Sequence, residues 1–156
     1  MRPATREGMP DHDLINGLTA GKLRADHFVM TPITGFDAHY KSDTFQCWLY
    51  PQGLLRIKSG SEWDFGTGAL DTPSMVISSL PHDAFCLLTD AGKLPWSVRR
   101  RADNFLAAQL LRYGARGGRF GWRTALTFVS TCWRWAIVNL NSQLNARRRR
   151  QPYVPA

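Results

Sequence analysis

Apolar residues recur along the chain with two periods, and the change from one to the other falls near residue 71. Before that point the apolar runs are short. Residues 28–34 (FVMTPIT) predict a brief strand that ends at Pro32. Phe45–Tyr50 and Leu54–Ile57 predict two paired strands, because aromatic and branched residues fill both and Pro51-Gln52-Gly53 separates them. Residues 59–70 (SGSEWDFGTGAL) read as a glycine-rich loop. Residues 1–27 carry Pro3, Pro10, Gly8, Gly17 and Gly21 and only a short apolar run near Leu14, so they read as a weakly structured arm.

From Asp71 onward the period becomes helical. Asp71 or Thr72 suits the N-cap of a helix and Pro73 its first turn. Val76, Leu80, Ala84, Leu87 and Leu88 then form one apolar stripe. This helix is expected to reach about Asp90 and to stop at Gly92. A turn over 93–97 leads to a second helix from about Val98 to Tyr113, ended by Gly114. After a break at Gly117, Gly118 and Gly121, a third helix is expected over about Trp122–Leu144. Its face of Trp122, Leu126, Val129, Trp133, Ile137, Leu140 and Leu144 should pack over the other two helices and the sheet, with a membrane interface as the alternative. The expected class is α+β: a small N-terminal antiparallel sheet or hairpin followed by three helices. It forms one domain over 28–146, between the arm 1–27 and a basic tail 147–156.

Charge changes this picture in one respect. The chain of 156 residues carries a net charge of +8. Residues 1–97 hold 8 Lys and Arg against 11 Asp and Glu, whereas residues 98–156 hold 12 Arg against the single acid Asp103. All the net basicity therefore lies in the last third and is all arginine, whose planar fork suits phosphate on a lipid or a nucleic acid. A solvated basic tail or a contact inside a capsid is the plainer expectation. Nucleic acid is disfavoured as a partner, since no groove-reading helix or stacking motif is evident. Cys47, Cys86 and Cys132 are odd in number and far apart, which excludes a disulfide-stapled secreted scaffold. The opening MRPATREGMPDHDL has no apolar signal core, so classical secretion is not expected.

Candidate chemistry sits on the first two helices. His82 lies off the apolar stripe of its helix, between small residues Ser78 and Ser79 and Cys86. Asp103 shares a stripe with Leu106, Ala107 and Leu110, which is the inward face of the second helix. A carboxylate there needs a partner. His82 is one, because helices joined by a short turn pair antiparallel; Arg99 and Arg100 are the alternatives. An Asp–His bond fixes the imidazole tautomer and raises the basicity of the other nitrogen, as a general base requires. Asp83, turned about 100° from His82 around the axis, should diverge from it. That divergence argues against one transition metal held by His82, Asp83 and Asp103. Gly66-Thr67-Gly68 could turn main-chain carbonyls toward a cation, with Asp83 as the acid that completes a calcium set. Asp11-His12-Asp13 reads as solvated loop.

The stretch 63–106, WDFGTGALDTPSMVISSLPHDAFCLLTDAGKLPWSVRRRADNFL, places a glycine loop, a His-Asp pair on a helix and an inward Asp on a second helix in that order. It resembles phospholipase A2, most of all the short, disulfide-poor forms of parvovirus capsid proteins and bacterial secreted enzymes. It also resembles a family of small phage and prophage proteins through Asp71-Thr72, His82-Asp83 and Ala102-Asp103. The first resemblance implies that His82 draws a proton from water and Asp103 orients it. It further implies that Asp83, with carbonyls near Gly66 and Gly68, holds a calcium that polarises the ester of a phospholipid. Such enzymes carry a tyrosine four residues after the histidine; here that position is Cys86. The phage resemblance implies fold and origin: a chain of a virion or of the bacterial host cytoplasm. Its partners would be a phospholipid membrane or anionic surface and other virion proteins. The alternative expectation is a non-catalytic minor virion protein, tail- or portal-associated, that uses the same fold as a scaffold.

Overall fold

A computed structural model describes residues 12–15, 20–64 and 73–115, together with 133, 136, 137, 140 and 144. Among these, seven strands precede two helices, in an α+β arrangement. β1 (His12–Ile15), β2 (Ala20–Leu23) and β7 (Glu62–Asp64) make a three-stranded antiparallel sheet in the order β1-β2-β7. β3 (His27–Met30), β4 (Ala38–Lys41), β5 (Gln46–Leu49) and β6 (Leu54–Ile57) make a four-stranded one in the order β3-β6-β5-β4. α1 is Pro73–Asp90 and α2 is Ser97–Ala115.

The β5–β6 hairpin forms where the sequence places it, and the physical reason lies at Gly53. Its amide donates to the Tyr50 carbonyl (2.8 Å), and Tyr50 N–H in turn donates to Leu54 (2.9 Å), closing the turn. Gly53 has φ of 87°, and its carbonyl accepts from both the amide and the hydroxyl of Thr31 at 2.9 Å each. A Cβ there would stand 2.6 Å from the Thr31 carbonyl oxygen. Gly53→Ala combines a left-handed backbone with that backbone clash. It is expected to cost about 1–3 kcal/mol, read as a drop in the urea midpoint with unchanged slope.

Strand alternation divides the four-stranded sheet into two faces. On the inner face, Val29, Leu55, Leu49 and Ala38 lie side by side across the four strands, and His27, Ile57, Cys47 and Tyr40 form the next row. This face joins Leu80, Ala84, Phe85 and Leu88 of α1 and Val98 and Ala102 of α2 in one core. On the outer face the matching row is Phe28, Arg56, Trp48 and His39. The Arg56 guanidinium lies 4.9 Å from the Trp48 ring centre and 5.8 Å from that of Phe28, and His39 stacks on Trp48 at 5.0 Å. Such cross-strand contacts hold a solvent-side face together. Asp26 anchors Arg56 through Nε (2.9 Å) and Nη2 (2.6 Å) and accepts the Ser59 amide at 2.8 Å. The Ser59 amide first, and Arg56 second, hold the Asp26 carboxyl below its ordinary range.

Several elements differ from the sequence expectation. The segment read as an arm contains β1 and β2, and Leu23 is buried in the core, bonded through its amide to Ser61 and through its carbonyl to Gly60. The segment read as loop contains β7, whose Trp63 is buried. β4 was not expected, and β3 ends at Met30, before Pro32. α1 ends as expected: Gly92 has φ of 68° and donates to Thr89 at 3.0 Å, while Lys93 donates to Leu88 at 2.9 Å. These two bonds satisfy the last carbonyls of the helix. α2 passes through Gly114 and reaches Ala115. Most of the expected third helix, the N-cap residues Asp71 and Thr72 and the tail 147–156 lie outside the described residues. Trp133, Ala136, Ile137, Leu140 and Leu144 of that third helix are helical.

Candidate functional site

The site begins with how α1 and α2 meet. Six residues, 91–96, with Pro95 among them separate α1 from α2, and two contacts fix the sense of the pair. Asp90, at the end of α1, binds Arg99 near the start of α2 (2.6 Å), and His82, two turns earlier, binds Asp103. The helices are therefore antiparallel. Arg99, whose guanidinium also lies 5.1 Å from the Trp96 ring centre, is taken by Asp90. Arg101 binds the Pro32 carbonyl and Arg100 is exposed. The inward acid is left to the imidazole.

His82 Nε2–H donates to Asp103 Oδ1 at 2.9 Å. The Asp103 side chain is 1% exposed and that of His82 13%. An ionised carboxylate only accepts, so this bond assigns the proton of the neutral ring to Nε2 and leaves the lone pair on Nδ1. The Nδ1 edge faces Asp83, with Oδ1 at 3.6 Å, and Cys86 lies beside the ring between the two nitrogens. Both residues retain partial exposure, so this edge is the one nearer to solvent. The expected divergence of His82 and Asp83 is corrected here. Their backbone directions differ, but a rotated carboxylate still reaches the ring edge.

Burial alone would pull the His82 imidazole down. The nearby Cys86 sulfur and the carboxylates of Asp103 and Asp83 outweigh it, and the group is held well above its ordinary value of 6.5. The ring therefore holds its second proton more tightly than a free imidazole does.

Cys86, expected from the sequence as a small neighbour that leaves room beside the imidazole, stands against the ring instead. Its Sγ lies 3.7 Å from Nδ1 and 3.8 Å from Nε2. A thiol bonded in the ring plane to one nitrogen would be much farther from the other, so the sulfur sits beside the ring without an in-line bond. The four-residue spacing on one helix was the available signal. Among the described residues, Ser78, four residues before His82 on the same side of α1, is buried with no partner for its hydroxyl, and Gln109 Oε1 on α2 likewise has none. Pro81, directly before His82, has no amide to donate to the Ile77 carbonyl. By contrast Cys47 is fully buried under the sheet, and burial pushes its thiol up to about 12.

The structure thus brings His82, Asp103 and Asp83 together. Gly66 and Gly68, the other two candidate cation-site residues, lie outside the described residues. Among the described residues no group of three or more His, Cys, Asp and Glu side chains is arranged to hold a metal ion. No family model, no curated protein and no solved structure matches the chain.

Proposed function

We propose that the chain is an acyl-ester hydrolase in which the His82–Asp103 dyad activates water. The observation that carries this reading is the 2.9 Å bond between an imidazole at the edge of solvent and a carboxylate buried between two helices. A buried acid with one imidazole as partner is the arrangement that holds a base in one tautomer and stabilises its cation. Nδ1 of the neutral ring takes a proton from water as the oxygen attacks the ester carbonyl. Asp103 stabilises the imidazolium that results, and the same proton then passes to the departing alkoxide.

The likeness of 63–106 to phospholipase A2 supplies the substrate class, a phospholipid acyl ester, and the likeness to phage proteins supplies the setting. In this reading Asp83, with carbonyls near Gly66 and Gly68, would hold calcium, which would polarise the ester carbonyl. Calcium takes six to eight oxygens. The described residues offer the Asp83 carboxylate and no further set, so they do not make a calcium site by themselves, and the proton steps above do not depend on one. A second reading, a non-catalytic minor virion protein with this fold, draws support from Cys86. Its sulfur stands in place of the phenol of phospholipase A2 enzymes and lies against the ring without an in-line bond to Nδ1.

Hydrolysis of mixed phospholipid vesicles, with calcium and with chelator, separates the two. The hydrolase should be inactivated about 10²–10⁴-fold by His82→Ala. Its rate should climb as pH rises above neutral, because only the neutral imidazole accepts a proton. No hydrolysis under either condition, or activity that survives His82→Ala, leaves the scaffold reading.

A further inference from the structure

Four large apolar side chains near the end of the chain stand in solvent. Trp133, Ile137, Leu140 and Leu144 are each helical and are 69%, 48%, 62% and 51% exposed. Intervals of four, three and four residues put them on one helix face, and Ala136, also helical and exposed, falls on it too. The expectation that this stripe packs over the other helices and the sheet is not met at these positions. A continuous exposed stripe of this kind marks a surface that something covers.

Charge identifies the cover. From Trp133 to Arg150 the sequence has five arginines and no acidic residue, and residues 98–156 carry 12 arginines against Asp103 alone. A second copy of the chain would bring the same cations to the contact. A nucleic acid would answer the arginines and leave the leucine and isoleucine side chains in water. An anionic bilayer satisfies both: the apolar face enters the acyl boundary, tryptophan sits at headgroup level, and arginine forks take lipid phosphates.

We propose that the Trp133–Leu144 face binds a membrane surface rich in anionic phospholipid, lying on the bilayer. Among the described residues no helix is long and apolar enough to cross one. The proposal deepens the hydrolase reading by locating the contact with lipid, and its assay reads binding only.

The full chain should sediment with vesicles containing phosphatidylglycerol at least about tenfold more strongly than with pure phosphatidylcholine, and less so as salt screens the arginines. Leu140→Glu and Trp133→Ala should each weaken that binding by about tenfold or more, with unchanged thermal melting. Replacing Arg147–Arg150 by glutamine should remove most of the preference for anionic lipid. Stripe variants that bind like the wild type overturn the proposal, since the arginine tail would then suffice. Equal binding to both vesicle types overturns it. So does a concentration-dependent dimer abolished by Leu140→Glu, which would make a second copy the cover. A chain that hydrolyses nothing but still sediments with anionic vesicles upholds this proposal while removing the hydrolase reading.

Discussion

Asp103→Ala is expected to lower stability by about 3 kcal/mol at pH 6, and by clearly less at pH 9. Removing one partner of a buried ion pair costs about 3–5 kcal/mol because the other charge is left buried and unpaired. Asp103 is almost wholly enclosed, while the imidazole keeps some contact with solvent, which places the cost at the lower end. The pH dependence follows from the proton on His82. In the folded chain that group is held well above 6.5, so the stabilisation is complete below 6.5 and is lost as pH rises through the raised value. Urea unfolding of both proteins in chelator at the two pH values reads the difference. A penalty that is equal at pH 6 and pH 9 would mean that Asp103 stabilises by packing and not by holding a cation. Asp103→Asn keeps the shape, and in the hydrolase reading it still depresses turnover because it favours the wrong tautomer of the ring.

A second large effect is expected in acid. His27 lies on the inner face of the four-stranded sheet, in the row with Ile57 and Cys47, and burial pushes its imidazole down to about 4. The unfolded chain takes up that proton near 6.5 and the folded chain only near 4. Stability therefore falls as pH drops between those values and levels off below them. The full shift corresponds to about 3 kcal/mol, and the partial exposure of the ring reduces the expected loss to about 2 kcal/mol. His27→Gln should flatten this limb between pH 6.5 and 4, monitored by thermal melting. An acid limb that persists unchanged in the variant would assign it to other groups. Together the two histidines place the stability maximum near pH 6.5.

The helical half of the fold was legible because its signals are local and repeated. The Val76–Leu88 stripe runs over several turns, Gly92 punctuates it, and a short turn forces the partner helix back along it. Once that is granted, an inward Asp103 has few partners within reach, and His82 is one of them. The strands were harder for a physical reason. β3, β5 and β6 hold three apolar residues each, whereas β1, β2 and β4 hold two and β7 one, too few to declare a strand. β2 pairs with β7 across some forty residues of sequence, so neither strand carries a local sign of the other. The tripeptide Gly66-Thr67-Gly68 offered conformational freedom without a direction, and no reading of the sequence could aim its carbonyls. Cys86 was noted for the residue it replaces, although its spacing from His82 already placed it beside the ring.

That placement has a chemical consequence. A sulfur 3.7 Å from a ring nitrogen and partly open to solvent is a handle built into the site. An electrophile that caps Cys86 would deposit its bulk against the imidazole, beside the approach to Nδ1. The chain thus carries its own attachment point for a covalent blocker or reporter of that approach, whereas the same reagent meets at Cys47 a thiol sealed under the sheet.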